Sequence, residues 1–405
     1  MFPAIRGGTF ALALGLWPGA AWAAPLSADD VVRSALSRHP VTVAASAAIP
    51  AAEARKREVG PLLENPEASF GVAVVGGLTQ GTINQPISVT GEGIQARAAA
   101  TAGIDAAHDE ARRAALEIAA EARAAYAWTV TTRERWQLAD EAMRQSTRLR
   151  EAVEAREAAG AARPLDVRLA RMAEAEATAL AIGARRDYAD ALTALSVYAP
   201  EALTSELAED PLSVLPARTE ASARSDVQAA EARVREAEAS LRLQRAAQVP
   251  EVGVGAFFQQ DDAHGDPGDV GAQITMSLPI WSHNQGGVGE AEAALETARA
   301  ELAAVSARAN AEQTVLPEVS AYADASLGRL GDFEADARAA LDSIELGWTS
   351  GEIDVSEAVL LRREVLDGWV AALDARQSTV EARLELLLAT EDPNLIPADS
   401  AGEDR

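Results

Sequence analysis

The 405-residue chain has no cysteine, a single lysine (Lys56), four histidines and few aromatic residues, only 4% of the total. Without cysteine there is no disulfide framework, and an exported form would lack the cysteine that carries an N-terminal lipid anchor. With so few aromatics and so much alanine, a thick globular core is a poor expectation and closely packed long helices a good one. Beyond the N-terminus no stretch reaches the ~20 apolar residues that a membrane-spanning helix needs. Cationic surface is also scarce: 62 acidic residues face 36 basic ones, a net charge of −26. Such a surface repels phosphate backbones, which argues against nucleic-acid binding. Most of the charge is spread along helical stretches, as on solvated helix faces.

The N-terminus carries a secretion pattern: Arg6, an apolar stretch over residues 10–17, and Ala21-Trp22-Ala23 as a small-x-small cleavage site. The expectation is a signal peptide over residues 1–23, with the mature chain starting at Ala24 outside the cytoplasm.

What the remaining sequence does have is a duplication. Asn65-Pro66-Glu67 opens a strand-like stretch and Gln85-Pro86-Ile87 closes another; a long helical run then ends at Gly160, with Asp166 six residues later. Val249-Pro250-Glu251 and Leu278-Pro279-Ile280 repeat the strand signals, a second helical run ends at Gly351, and Glu357 follows six residues later. Each unit reads as hairpin, long helix, turn and returning helix, which cannot close a core alone. The division that follows is a first repeat at 24–200, a linker at 201–223, a second repeat at 224–390 and a disordered acidic tail at 391–405.

Within the first repeat, Ser27 and the acidic Asp29 and Asp30 predict one helix running to about Gly60, where Pro61 stops it. Strands are expected over 68–75 and 82–90, with Gly76, Gly77 and Gly81 forming the turn. Residues 92–159 hold no proline and predict a helix of roughly 100 Å at ~1.5 Å per residue. Residues 165–198 return as a helix. In the second repeat a helix is expected over 225–248 and strands over 251–260 and 270–281. In the last strand Val270, Ala272, Ile274, Met276, Leu278 and Ile280 alternate with Gly271, Gln273, Thr275 and Ser277. That period describes a sheet with one apolar and one polar face, in a soluble sandwich or in a membrane barrel with Trp281 at an interfacial girdle. Next, Val288, Leu295, Leu302, Ala309, Leu316, Ala323, Leu330, Ala337 and Ile344 recur every seven residues, as do Val359, Leu366, Leu373, Val380 and Leu387. A sustained seven-residue period predicts helices wound about one another, with a kink at Pro317.

No catalytic constellation emerges. His39, His108, His264 and His283 lie on separate elements without ligand spacing. His264 sits among Asp261, Asp262, Asp266 and Asp269, but the spacing is not that of a calcium loop, and a solvated loop is expected. Gly286-Gly287-Val288-Gly289 lacks the Lys and Ser/Thr of a phosphate loop and reads as slack between strand and helix. The turns at 160–167 and 351–358 align without a gap. Locally they read as helix capping, with glycine ending one helix and a carboxylate in the first turn of the next.

Taken together, the secretion signal, the two hairpins and the two long helical hairpins in twofold repeat resemble the TolC-type outer-membrane efflux proteins, with the flavour of the CzcC-like heavy-metal branch. The carrying residues are Asn65-Pro66-Glu67, Gln85-Pro86-Ile87, Gly160 through Asp166-Val167, Leu278-Pro279-Ile280 and Gly351 through Glu357. The resemblance implies a mainly α fold with a membrane β-barrel, assembled as a homotrimer in which each subunit lends four strands, above a tapering helical duct. It also implies an outer-membrane exit duct with no enzyme activity and no cofactor. Its partners would be a periplasmic membrane-fusion adaptor and an inner-membrane pump of the resistance-nodulation-division or ABC type.

On that resemblance Gly160, Ala161, Pro164, Leu165, Asp166, Gly351, Ile353 and Val355 would form the periplasmic tips that meet the adaptor. Asp166 and Glu357 would form a constriction, and Ile274, Met276, Leu278, Ile280 and Trp281 would face lipid. A second acidic ring position of the family falls on Leu360. The first hairpin is shorter than the second, 19 residues from Glu67 to Pro86 against 28 from Glu251 to Pro279, which leaves little external loop. The rival reading is a periplasmic coiled-coil adaptor or scaffold without a barrel, although the β-rich blocks of an adaptor are missing.

Overall fold

The computed structural model describes residues 25–59, 65–72, 78–87, 90–208, 224–261, 268–277, 281–330 and 333–398. The expected signal peptide, Gly60, Pro61, Gly76, Gly77, Asp262, His264, Asp266, Leu278, Pro279 and Ile280 lie outside the described residues.

Helices α1 (Ala28–Arg38) and α2 (Pro40–Glu58) lead into strands β1 (Glu67–Val72) and β2 (Leu78–Ile87). Helix α3 (Glu92–Ala158) runs away from the sheet and α4 (Pro164–Tyr198) returns. The second repeat copies this with α5 (Ser225–Ala246), β3 (Val252–Asp261), β4 (Asp269–Met276), α6 (Gln285–Leu330), α7 (Phe333–Ser350) and α8 (Val355–Ala389). Among the described residues no helix is long and apolar enough to cross a membrane.

Several expectations are corrected. The first helix is two, because Pro40 forces His39 into an extended conformation (φ −65°, ψ 132°) and then serves as the first residue of α2. Strand β2 starts before Gly81 instead of after it, with Gly81 paired to both Phe70 and Phe258. The four-residue glycine-rich stretch from Gly286 lies in the first turns of α6, not ahead of it. Residues 391–398, expected as disordered tail, are ordered: Glu391 and Leu395 are fully buried. Residues 201–208 of the expected linker are also fixed, through a parallel bridge between Leu207 and Leu26.

The largest core lies midway along α3, where α1, the end of α4, the end of α8 and the 391–398 segment surround it. Val31, Val32, Ala119, Tyr126, Val130, Leu195, Val380 and Leu395 meet there. The Tyr126 hydroxyl sits 2.9 Å from the Leu26 carbonyl and 3.1 Å from that of Ala208, tying the bridge to α3. Seven-residue seam positions do turn inward: Leu295, Ala309, Ala337, Ile344, Leu373, Val380 and Leu387 are all buried. Alanine at so many contacts lets helix axes approach closely, so burial is spread thinly along the length.

Candidate functional site

Two regions carry the residues singled out by the sequence: the turns at the far end of the helical hairpins and the sheet at the near end.

At the first turn α3 ends in a left-handed glycine, Gly160 (φ +75°). The Gly160 N–H donates to the Glu157 carbonyl at 2.8 Å and the Ala161 N–H to that of Arg156 at 2.7 Å. At the second, Gly351 (φ +83°) and Glu352 donate to Trp348 (3.2 Å) and Gly347 (2.8 Å) in the same pattern. Both are Schellman closures, which require a residue without a Cβ penalty at the left-handed position.

The acidic groups after the two glycines differ in use. Asp166 is only 7% exposed, and both of its oxygens are taken by Arg163: the backbone N–H at 3.0 Å, Nε at 3.1 Å and Nη2 at 2.9 Å. The Arg163 guanidinium, then its backbone N–H, hold the Asp166 carboxyl below its ordinary value. In the second turn Asp354 caps α8, accepting from the Glu357 N–H at 2.8 Å and from the Ser356 hydroxyl at 2.5 Å. These bonds, the hydroxyl first, likewise hold Asp354 low. Glu357 is exposed, and among the described residues no cation pairs with its side chain. The repeats therefore each keep one half of a capping box, and Glu357, not Asp166, is left with a free charge.

Behind the turns, Leu149, Val153, Val167, Ala170, Ile344, Trp348, Val355 and Ala358 form one apolar cluster joining the two hairpins. Arg156 lies over Trp348, 4.5 Å from the ring centroid, and donates to the Thr349 carbonyl at 3.3 Å. Of the expected tip residues, Gly160, Ala161, Pro164, Leu165 and Gly351 are exposed; Ile353 is half-buried and Val355 buried in that cluster. Leu360 is 65% exposed.

Because Asp166 and Asp354 have depressed values in the folded state, they stabilise the turns above their ordinary value of 3.8, and this is lost as pH falls through their lower folded values. Amide hydrogen exchange at the two turns, corrected for its intrinsic pH dependence, is accordingly expected to stay flat on acidification to about pH 5 and to rise only below about pH 4. A rise centred near neutrality would contradict this capping.

At the other end the strand order is β1-β2-β3-β4, all antiparallel, with β1 and β4 as free edges. Directly paired residues share a face. One face carries Ala68, Phe70, Val72, Ile83, Ile87, Val252, Val254, Ala256, Phe258, Val270, Ala272, Ile274 and Met276, with Thr79, Gln85 and Gln260 as its polar members. The other carries Glu67, Ser69, Gln80, Thr82, Asn84, Gln259, Gln273, Thr275 and Asp269, together with Leu78, Pro86 and Phe257, and has hydrogen bonds Ser69–Thr82 (2.6 Å) and Thr275–Asn84 (3.0 Å). The apolar face is bare: Phe70 is 76% exposed, Val270 and Ile274 each 78%, and Met276 58%. Trp281, just past β4, is 89% exposed. Strands β2 and β3 have ten residues each. At ~3.3 Å per residue and a tilt of ~40° they rise about 25 Å, the height of an outer-membrane apolar band. β1 has six described residues, Glu67–Val72.

Among the described residues no other chemistry assembles. Among the described residues no three His, Asp or Glu side chains are placed to hold a metal ion. His39 stacks on Tyr198 at 5.5 Å, and His108 and His283 are exposed. A cleft of about 650 Å³ between α3 and the α7–α8 pair is lined by Glu134, Arg376, Glu334 and Arg338, which pair with one another.

With this geometry in place, the comparisons with known proteins fall on the same architecture. Residues 218–392 match the outer membrane efflux protein family. The match covers the second repeat. The whole fold extends it: a membrane protein from Pseudomonas aeruginosa superposes with a TM-score of 0.74 at 21% identity, over 90% of this chain and 93% of that one. The outer membrane protein VceC from Vibrio cholerae gives 0.71 at 20% identity, over 90% and 96%. The CmeC outer membrane channel of Campylobacter jejuni gives 0.74 at 13%, over 92% and 87%. At these identities the likeness is one of fold. No curated protein matches in sequence.

Two features escaped sequence reasoning. The Asp354 cap is one, although its place three residues ahead of Glu357 is a usable signal. The unequal fates of Asp166 and Glu357 are the other, and they had no such signal, since they turn on the Arg163 side chain folding back over three residues.

Proposed function

We propose that the chain is one subunit of a homotrimeric outer-membrane exit duct. It would serve a tripartite efflux or type I secretion system and conduct substrate passively. The observation that carries this reading is the two-faced sheet: a bare apolar face, a hydrogen-bonded polar face and two unpaired edges. In one chain those edges and that face are unsatisfied. β1 and β4 run in opposite directions, so three copies joined β4 to β1 close twelve strands into a barrel with alternation intact and no edge left. Exposed apolar residues on the helices support assembly too: Met172 and Leu180 on α4, and Val315, Val319 and Tyr322 at helical spacing on α6.

In this reading Phe70, Ile274 and Met276 face lipid, and Trp281 sits at the periplasmic girdle. The turns at Gly160 and Gly351 form the periplasmic tips, offered to a membrane-fusion adaptor that couples the duct to a resistance-nodulation-division or ABC pump. The resemblance to the heavy-metal branch makes metal cations the first cargo to test. A heat-modifiable trimer in the outer-membrane fraction that conducts in planar bilayers supports the duct; a carbonate-extractable periplasmic monomer supports the scaffold instead.

Three Glu357 carboxylates at the narrow end would draw cations into it, whereas Asp166 is neutralised by its own Arg163. Glu357→Gln is therefore expected to reduce cation selectivity in single-channel reversal potentials, and Asp166→Asn to leave selectivity near wild type while loosening the first turn. Equal effects of both variants would restore Asp166 to the ring.

A further inference from the structure

The polar face of the sheet holds one aromatic ring among its described residues. Phe257 lies in the row Ser69, Thr82, Phe257, Gly271, flanked by rows of Glu, Asn, Gln, Asp and Gly. An isolated phenylalanine on that face would stand into the space the face encloses. Here it does not, because its ring occupies the position that a side chain on Gly271 would fill. A Cβ built at Gly271 would lie 2.5 Å from both Cε1 and Cζ of Phe257, far inside contact distance. Nothing in the backbone calls for glycine there: Gly271 is a regular strand residue outside the left-handed region. Its missing side chain serves the ring.

We infer that Gly271 is the residue that keeps the barrel open at this height, by housing the Phe257 ring against the wall of the neighbouring strand. The inference rests on the duct reading, since it needs the polar face to line a lumen. Three rings lie at one level, two residues from the external end of the β3–β4 pairing at Gln259 and Asp269. At ~3.4 Å per residue that is about 7 Å inside the mouth. If Gly271 gains a side chain, the ring must rotate off β4, and the direction left open is inward, from three sides at once. Bore at this level is thus a property of the Phe257–Gly271 pair, and with it the size of solute that can leave.

The test is single-channel conductance of purified trimers in planar bilayers with neutral polymers of graded size added on the barrel side, so that the current reports access through the mouth and not the narrower tips. Gly271→Ala and Gly271→Val are expected to lose conductance, valine more than alanine, and Phe257→Ala/Gly271→Ala to recover it. Phe257→Trp, which leaves β4 untouched, is expected to narrow the pore as well, because the glycine gap does not fit an indole; it supplies the result should the valine variant fail to form trimers. Conductance at the wild-type level in Gly271→Val trimers or in Phe257→Trp would overturn the inference, as would a double variant no better than Gly271→Ala. A wild-type protein that forms no pore at all would instead sink the duct reading.

Discussion

Ile274→Arg is expected to abolish outer-membrane assembly, while Gln273→Arg, one residue away on the same strand, is expected to assemble and conduct. The two positions differ only in face. Ile274 pairs with Val254 on the apolar face and is 78% exposed; Gln273 pairs with Gly255 on the polar one. An arginine on the lipid face of a barrel costs about 2–4 kcal/mol at the bilayer midplane and about 0–1 kcal/mol at the interfaces; Ile274 lies between the two, and a trimer would carry the cost three times. On the polar face the same charge meets water and neighbours such as Asn84 and Thr275. The measurement is the yield of heat-modifiable trimer in the outer-membrane fraction. Equal tolerance of both arginines would mean that the bare apolar face meets something other than lipid, and the proposed barrel would fall.

This face is legible in the residue order alone, because period-two alternation is a local property and register only has to preserve it. The long helices are legible for a similar reason: residues 92–159 hold no proline, and the seam from Val288 to Ile344 repeats faithfully. What local pattern could not give was pairing across the chain. β2 and β3 are hydrogen-bonded neighbours, Ile83 opposite Ala256, although a whole helical hairpin separates them in sequence. The break between α1 and α2 was legible as well, in Pro40, which keeps the residue before it out of the helix. The tips were half legible. Glycine closure followed from residue type, but the division of labour between Asp166 and Asp354 depended on Arg163 standing where the other repeat has Asp354. The tail was misread because Glu391, Asp392 and Pro393 have the composition of a disordered end, and only three-dimensional proximity reveals their partners.

Glu391→Ala is expected to be the most destabilising single change outside the apolar cores. Glu391 is fully buried and adopts φ +48°, a left-handed conformation that costs a non-glycine residue roughly 1–2 kcal/mol. It is held there by what its carboxylate does. One oxygen accepts from the Ser225 N–H and hydroxyl, both at 2.7 Å, and lies 3.6 Å from Arg113; the other lies 3.8 Å from Arg112. Ser225 is the first residue of α5. The side chain at the end of α8 therefore caps the helix that begins the second repeat, with a negative charge at a helix N-terminus where the dipole favours it. Removing the carboxylate leaves the buried Ser225 N–H and hydroxyl without their acceptor, at about 1–3 kcal/mol each, while Arg113 keeps Glu117 at 2.7 Å. Glu391→Gly separates the two contributions. It relieves the backbone strain and still deletes the carboxylate, so it should melt between Glu391→Ala and wild type in thermal denaturation of the detergent-solubilised protein. A glycine variant as stable as wild type would mean that the left-handed turn, not the cap, is what position 391 contributes. The cap also explains why the chain does not stop at the end of α8. α5 and α6 also pack through Leu241, Ala291 and Leu295, but it is Glu391 that joins the last turn of the repeat to its first helix with a charge.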